Sequence, residues 1–287
     1  MAKVNIFLTK NKLVLLLVLV IGCVLGRITL SNTDTKIQRL NVSDNRRFLQ
    51  CENGKPFFWL GDTGWLLFQK LSREEASTYL QDRCDKGFNV IQAMVIHELP
   101  KINFYGDSAF IGNDLSRPNM TPVHSYQDAV AYDYWDHVGY IVNLASEKGL
   151  YMALVPVWGS VVKSRSADTN RITLYISWLA QRFKEKRNII WLNGGDIRGD
   201  LLPEIWQKIG QTLDTITPRD LITFHPFGRT QSSTWFHNSV WLDFNMFQSG
   251  HRRYDQMRDT DDPLTWKGED NWKYAVEDYA RKPVKPL

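Results

Sequence analysis

Six short apolar segments recur along the chain, and each is followed by glycine or by polar and aromatic residues. The run Ile189–Leu192 shows the pattern most clearly, because it stops abruptly at Asn193-Gly-Gly-Asp196. Short runs rich in branched and aromatic residues predict buried strands. The six segments are Phe57–Leu60, Val90–Ile96, Tyr151–Val157, Asn188–Leu192, Leu221–Phe224 and Leu242–Phe247. Their repetition predicts a sheet of buried strands whose ends carry polar side chains.

Helical patterns separate these segments. Ser72 and Glu75 have the spacing of a capping box, at the start of a predicted helix that reaches about Lys86. Further helices are predicted over Tyr134–Lys148, Thr169–Lys184, Pro203–Thr215 and Glu269–Ala280. Strands that alternate with helices in this way predict a parallel sheet.

Two parallel architectures fit this alternation. An open doubly wound sheet gathers its ligand at one switch point, whereas a (β/α) barrel uses the carboxyl ends of many strands. Polar groups after every predicted strand, and no Gly-x-Gly-x-x-Gly after the first, favour the barrel. The predicted fold class is therefore α/β, of the (β/α)8 TIM-barrel type. A full barrel needs about 250 residues, so the chain is predicted to hold about six of the eight units.

Asp196 is the strongest candidate for a catalytic residue. It follows a predicted buried strand and two glycines, which bring the backbone close to a ligand and allow unusual dihedral angles. In barrels of parallel strands the catalytic groups lie at this end of the strands. Asp196 is therefore predicted to be a catalytic acid/base. The competing interpretation is that Asp196 caps the helix that follows.

Polar and aromatic residues follow the other predicted strands at equivalent places. The predicted substrate-binding residues are Asp62, Trp65, His97, Glu98, Trp158, Asn193, His225, Gln248 and His251. Each of them alone is explained equally well by packing or by a loop. Their recurrence at one edge indicates a sugar site, where polar groups meet hydroxyls and flat rings meet sugar faces. The 11 tryptophans of the chain agree with this interpretation.

Glycoside hydrolysis normally uses two carboxylates. Asp196 supplies one, and Asp62 or Glu98 is the candidate for the second. A zinc site on three histidines, His97, His225 and His251, is the alternative chemistry. The sequence lacks His-Glu-x-x-His and paired cysteines, so neither a metal nor a cofactor is predicted. It also lacks Gly-x-Ser-x-Gly, which argues against an α/β-hydrolase.

The first 26 residues resemble an export signal. Lys10 and Lys12 precede the apolar run 13–21. The apolar stretch 13–26 is about 14 residues long, which is short for a bilayer core of roughly 30 Å. Val20-Ile-Gly-Cys23 also resembles a lipobox, so a lipid anchor at Cys23 and plain secretion both remain open. Either route predicts an exported protein that is periplasmic, on the cell surface or secreted.

The remaining chain is predicted to form one domain after a linker. Residues 27–45 are assigned to the linker and a first short strand, and residues 46–287 to a partial (β/α) barrel. Asn53-Gly54 predicts a hairpin turn between the arms Arg46–Gln50 and Pro56–Leu60.

Charge and cysteine content restrict the expected partners. The net charge is +4, and three lysines of the leader account for most of it, so no basic stripe and no nucleic-acid partner is predicted. Cys51 and Cys84 could pair after export, although two cysteines are weak evidence for a disulfide.

Six stretches together resemble a known family. They are Phe57–Thr63, Lys86–Gln92, Ala153–Gly159, Asn188–Asp196, Thr223–Arg229 and Phe247–His251. These stretches resemble the apiosidase-like glycoside hydrolases, which are exported bacterial enzymes with a (β/α)8 barrel. The resemblance implies attack on pectin-type plant polysaccharide, with release of apiose-linked side chains of rhamnogalacturonan II. It also implies that Asp196 is the acid/base, because Asn-Gly-Gly-Asp matches the family motif.

The chain departs from the family at its carboxyl end. The family nucleophile is a glutamate in an Asp-Gly-Glu-Pro segment on strand seven, and this segment is absent before Leu287. The resemblance therefore implies a glycoside hydrolase that is inactive in this truncated form. A non-catalytic, carbohydrate-binding protein of the cell envelope is the alternative function.

Overall fold

The computed structural model describes residues 37–122, 131–164, 168–249 and 268–287. The predicted signal, the lipid-anchor position Cys23, most of the linker and His251 lie outside these ranges. The strands are β1 Leu40–Val42, β2 Leu49–Cys51, β3 Gly61–Thr63, β4 Val90–Ile96, β5 Tyr151–Val157, β6 Ile189–Ile197, β7 Ile222–Pro226, β8 Thr230–Gln231 and β9 Phe247–Gln248. The helices are α1 Leu67–Lys70, α2 Arg73–Asp85, α3 Tyr134–Glu147, α4 Gly159–Lys163, α5 Thr169–Phe183, α6 Pro203–Ile216, α7 Ser233–Phe236 and α8 Trp272–Ala280.

The central element is a five-stranded parallel sheet in the sequential order β3-β4-β5-β6-β7. The sheet is curled into part of a barrel, with helices in the connections between the strands. The predicted fold class, an incomplete (β/α)8 barrel, is confirmed. The capping box at the start of α2 is also present, with the Ser72 side chain accepting from Glu75 N–H and the Glu75 side chain accepting from Ser72 N–H.

The first predicted strand is wrong in its position. The run Phe57–Leu60 is apolar, but it does not pair as a strand, and the strand consists of Gly61–Thr63. Asn89 explains the shift, because its side chain accepts from Leu60 N–H and donates to the Phe58 carbonyl. These two contacts replace ladder hydrogen bonds, and Phe58 is left 79% exposed.

The sixth predicted strand, Leu242–Phe247, is also wrong as drawn. Only Phe247–Gln248 is a strand, and it pairs antiparallel with β8 instead of extending the parallel sheet. The segment still lies beside β7, because Asp243 N–H donates to the Ile222 carbonyl at 2.9 Å. Side chains then interrupt the ladder: the Asp243 carboxylate accepts from Ile222 N–H, and the Thr223 hydroxyl donates to the Phe244 carbonyl.

An antiparallel hairpin covers the amino ends of the parallel strands. Its strands are β1 and β2. The hairpin predicted about Gly54 forms in part, because Phe57 N–H donates to the Leu49 carbonyl and Gln50 bridges Pro56, but the second arm is not a strand. The Tyr151 hydroxyl at the start of β5 donates to the Gln38 carbonyl at 2.6 Å. Cys51 is a free thiol, as is Cys84.

Two apolar cores lie on the two faces of the sheet. Alternate strand residues such as Ile91 and Leu154 pack against the helices, while Val90 and Val155 pack on the other face with Leu40 of the hairpin. The period of two along a strand explains this division. Each strand residue therefore places its side chain on only one of the two faces. This determines which polar side chains at the strand ends can reach the site. No helix within the described ranges is long and apolar enough to cross a membrane.

His137 is a buried histidine inside the helical layer. Its Nδ1 accepts from the Tyr132 hydroxyl at 2.6 Å, and its Nε2–H donates to the Leu71 carbonyl at 3.0 Å. Both ring nitrogens are thus satisfied in the neutral form. Burial lowers the pKa of His137 from 6.5 to about 4.

We expect His137 to make the folded state sensitive to mild acid. Between pH 6.5 and about 4 the unfolded chain binds a proton that the folded chain excludes, so stability falls as the pH is lowered through this window. The loss is on the order of 3 kcal/mol at most. Denaturant unfolding of the wild type and of His137→Gln measures it: the variant should lose less stability between pH 7 and pH 4. Parallel pH dependences of the two proteins would contradict the assignment.

Candidate active site

The carboxyl end of β6 has an unusual backbone. Three consecutive residues have positive φ angles: Gly194 at 97°, Gly195 at 113° and Asp196 at 46°. The pairing of β6 with β7 shifts register between Gly194 and Ile197. Aspartate is one of the few residues with a side chain that tolerates the left-handed region. At this irregular turn within β6, 48% of the side-chain surface of Asp196 is exposed.

Asp196 does not cap the following helix. That helix, α6, begins at Pro203, and its N-cap is Leu202 without a side-chain hydrogen bond. The competing interpretation of Asp196 as a helix cap is therefore wrong.

The two glycines allow other groups to approach the turn closely. A Cβ atom at Gly195 would lie 2.5 Å from the Trp158 indole, and one at Gly194 would lie 2.6 Å from the His225 carbonyl oxygen. Neither contact is possible for a side chain without displacement. The glycines therefore let an aromatic ring pack directly on the backbone that precedes Asp196.

Aromatic rings from three strands meet beside this turn. Trp65 lies just after β3, Trp158 just after β5, and His225 within β7. The ring centroids of Trp65 and Trp158 are 5.5 Å apart, and each lies within 5.5 Å of the His225 ring. His97, which follows β4, adds a fourth ring 6.5 Å from Trp158. The structure thus brings together four residues that the sequence had placed at separate strand ends.

His225 contacts the backbone of Asp196. Its Nδ1 accepts the Asp196 N–H at 3.3 Å and lies 3.8 Å from the carboxylate Oδ1. The ring is only 3% exposed, and burial lowers the pKa of His225, while the nearby Asp196 charge opposes this shift. A neutral ring with Nδ1 as acceptor carries its proton on Nε2. His225 therefore supplies the acceptor that the register shift leaves missing for Asp196 N–H.

Gln248 contacts the carboxylate itself. Its Nε2 donates to Oδ1 of Asp196 at 2.8 Å. This residue was predicted to bind substrate, but in the structure its amide is engaged by a side chain of the protein.

Two predicted site residues point away from the cluster. The Asp62 carboxylate accepts from the Tyr79 hydroxyl at 2.9 Å and from Arg83 at 2.8 Å, both on α2. Asn193 is fully buried, and its side chain donates to the Trp206 carbonyl of α6 at 2.8 Å. Both residues occupy strand positions whose side chains face the helices. The structure therefore does not bring these two side chains into the aromatic cluster, and their contact with substrate stays a prediction.

Asp62 is also held in its charged form. Burial by itself raises the pKa of Asp62, but hydrogen bonds from Tyr79, from Thr63 N–H and from Arg83 together lower it below the usual value. A carboxylate that is paired with a guanidinium is poorly suited to exchange protons. Asp62 is thus poorly suited to donate a proton, whereas the second carboxylate of a glycoside hydrolase acts in its charged form.

Glu98 lies at the rim beside a residue that sequence reasoning missed. Its Oε1 is 3.8 Å from His97 Nδ1 and 3.9 Å from Lys101 Nζ. The Lys101 side chain is only 3% exposed, and burial lowers its pKa to about 8. Nothing in the local sequence indicates this burial, because a lysine in a long polar loop ordinarily points into solvent.

The described residues contain no group of three histidine, cysteine, aspartate or glutamate side chains close enough to hold a metal ion. His251, the third member of the alternative zinc site, lies outside the described residues. The structure brings together the half-exposed carboxylate of Asp196, the buried neutral imidazole of His225, the carboxamide of Gln248 and two indole rings.

Comparison with known families agrees with this arrangement. The family model described as "Apiosidase-like, catalytic domain" matches residues 43–287. The chain belongs to the apiosidase-like family. None of the curated proteins matches this apiosidase-like chain.

Solved structures show the same relationship. A protein described as a glycoside hydrolase is 43% identical with a TM-score of 0.79, and the match covers 87% of this chain and 55% of the other. A glycoside hydrolase family 5 protein from Bacteroides vulgatus is 42% identical with a TM-score of 0.78, covering 86% of this chain and 52% of the other. The apiosidase-like chain thus spans about half the length of these two relatives. An endo-1,4-beta-mannanase from Rhizomucor miehei, 14% identical with a TM-score of 0.51, shares the fold over 67% of this chain and 62% of its own.

We expect Gly195→Ala to be more damaging than an alanine at another glycine with positive φ. At Gly195 the new methyl group meets Trp158, and φ is 113°, whereas Gly149 has a φ of 74° and open space around it. Backbone strain alone costs about 1–3 kcal/mol at such positions. Gly149→Ala is the matched control, and denaturant unfolding should show the larger loss for Gly195→Ala. Equal losses would contradict close packing of Trp158 on Gly195.

Proposed function

We propose that this chain carries the acid/base half of a glycoside hydrolase site, and that Asp196 is the group that protonates the glycosidic oxygen. The observation that carries the proposal is the position of the Asp196 carboxylate. It is half exposed at the carboxyl edge of the sheet, 3.8 Å from His225, whose ring lies within 5.5 Å of the indole rings of Trp65 and Trp158. Indole rings provide flat apolar surfaces for sugar rings, and the carboxyl group provides the proton.

The described partners of Asp196 differ from those of Asp62. His225 is neutral and Gln248 is an amide, so neither supplies a fixed positive charge that would hold the carboxylate ionised. Asp62 shows the contrast, because Arg83 and two other donors stabilise its charged form. Of these two carboxylates, Asp196 is therefore the one equipped for proton transfer.

We further propose that the substrate is a pectin-type plant polysaccharide with apiose-containing side chains. The support is the apiosidase-like family to which residues 43–287 belong. The chain spans about half the length of these relatives, and hydrolysis needs a second carboxylate besides Asp196. Full activity of the site is therefore proposed for a barrel that contains further units, with this chain alone binding oligosaccharide and turning it over weakly or not at all.

We also propose that the protein is exported and that Cys23 receives a lipid anchor. The support is the lysine-flanked apolar run that ends at Gly22-Cys23. Mass spectrometry of the mature amino terminus in the native host tests this, and recovery of an intact Met1 from the envelope would contradict it.

Asp196→Asn tests the assignment of the acid/base. We expect turnover of substrates with poor leaving groups to fall by about 10²–10⁴-fold, because protonation of the leaving oxygen is lost. Activated aryl glycosides leave without much protonation and should lose much less. The assay compares this chain with a chimaera that continues after Leu287 with the remaining units of the 43% identical relative.

The two substrate types supply the control for this test. Equal losses on both would show that Asp196 only orients the sugar. Turnover by the unextended chain that Asp196→Asn abolishes would show that the second carboxylate already lies within residues 1–287.

A further inference from the structure

The Asp196 carboxyl group has two oxygens with different surroundings. Oδ1 accepts a hydrogen bond from the Gln248 side-chain amide at 2.8 Å, and it is the oxygen that lies 3.8 Å from His225. Only the Gln248 amide donates to Oδ1, because the neutral Nδ1 of His225 is an acceptor, and the carboxyl group as a whole remains half exposed. Among the described residues, Oδ1 is therefore the oxygen that accepts a hydrogen bond, and Oδ2 is the oxygen that we assign to exchange with a ligand.

Gln248 is held firmly in the place from which it reaches Asp196. It lies on β9, where Thr230 is its antiparallel partner, and its carbonyl accepts from Arg229 N–H. The neighbouring Phe247 stacks on Tyr274 of α8, with centroids 5.3 Å apart and planes 17° apart. The short β8–β9 ladder thus fixes the backbone of Gln248, and the side chain needs little further ordering to reach the carboxylate.

A glycine lies next to the Gln248 side chain. A Cβ atom at Gly228 would lie 3.1 Å from Oε1 of Gln248. Gly228 precedes β8, so the turn that begins the ladder also leaves room for the amide. Together with the ladder, this clearance indicates that the amide is positioned to meet Asp196.

The hydrogen bond determines which oxygen carries the proton. An amide N–H only donates, and in a neutral carboxyl group the carbonyl oxygen accepts better than the hydroxyl oxygen, so the contact favours Oδ1 as the carbonyl oxygen. The neutral acid therefore has its proton on Oδ2, the oxygen that is left to face a leaving group. We propose that Gln248 is a positioning residue that orients the Asp196 carboxyl group and places its acidic proton on Oδ2. This inference rests on the proposed function of Asp196 as acid/base.

The rival role for Gln248 is direct contact with the sugar, as the sequence suggested. A sugar contact removed by substitution raises KM on all substrates alike. A positioning role instead lowers the rate of proton transfer, which matters only for poor leaving groups. The two roles therefore predict different kinetics and different spectra.

A spectroscopic test on the full chain decides whether the contact forms. The side-chain amide signal of Gln248 is identified in a 1H–15N spectrum by its loss in Gln248→Met, which keeps the length but has no N–H. We expect this signal to move with pH in the wild type and to stop moving in Asp196→Asn, because an asparagine does not titrate. Movement that persists in Asp196→Asn overturns the inference.

Gln231 is the matched control for this spectrum. It lies on the partner strand β8, is only 4% exposed, and donates to Glu277 at 2.8 Å. Its signal, identified in Gln231→Met, should keep the same pH dependence in Asp196→Asn. Comparison of the Gln248 and Gln231 signals distinguishes loss of a contact with Asp196 from a general loosening of the β8–β9 ladder.

Kinetics on the chain or the chimaera complete the test. Gln248→Met should lower turnover of substrates with poor leaving groups about 10-fold, with KM nearly unchanged and little effect on aryl glycosides. Gln231→Met should match the wild type. Equal losses on both substrate types together with a raised KM would overturn the inference in favour of a sugar contact.

The two proposals fail in distinguishable ways. If Asp196→Asn leaves the turnover of poor leaving groups unchanged, the proposed acid/base is wrong, whatever Gln248 does. If Asp196→Asn shows the expected loss and Gln248→Met does not, only the positioning role is wrong. If neither protein form turns over substrate, the amide spectrum decides the inference.

Discussion

The parallel pairing of β3 to β7 in sequential order is the constraint on which the rest of the structure depends. Parallel strands in this order bring all their carboxyl ends to one edge of the sheet, and the connecting helices cover one face. Residues far apart in the chain therefore meet at this edge. The ring centroids of Trp65, Trp158 and His225 lie within 5.5 Å of each other. The catalytic hypothesis for Asp196 depends on this shared edge, because side chains from several strands can act on one substrate only if they lie together.

The end of β6 shows how the edge is adapted for chemistry. A regular strand would leave residue 196 in the ladder, but two glycines with positive φ and a register shift turn it outward. Because of the turn, Asp196 N–H has no acceptor in the ladder. It donates instead to Nδ1 of the buried His225 ring. Local strain, ring packing and hydrogen bonding are thus coupled at one turn, so a change at Gly195 acts on Trp158 as well as on the backbone.

Three carboxylates near this edge have different electrostatic surroundings. Asp62 is bound to a guanidinium and a hydroxyl on α2, and Glu98 lies between His97 and the buried Lys101. Asp196 has an amide and a neutral imidazole instead. Among the described residues, Asp196 is therefore the one of the three without a cationic side chain as its hydrogen-bond partner or close neighbour.

The sequence by itself determined the fold class, the capped helix α2 and the position of Asp196 at the end of a buried strand. These features depend on short-range patterns of apolar residues, glycines and caps. It misplaced the first and sixth strands, because contacts of Asn89, Asp243 and Thr223 with distant backbone replaced the ladder there. It also grouped Asp62 and Asn193 with the rim, although both face the helices. The sequence shows that a polar residue follows a strand, but only the tertiary structure decided which face receives its side chain. Register and twist set that orientation, and a shift of one residue reverses it.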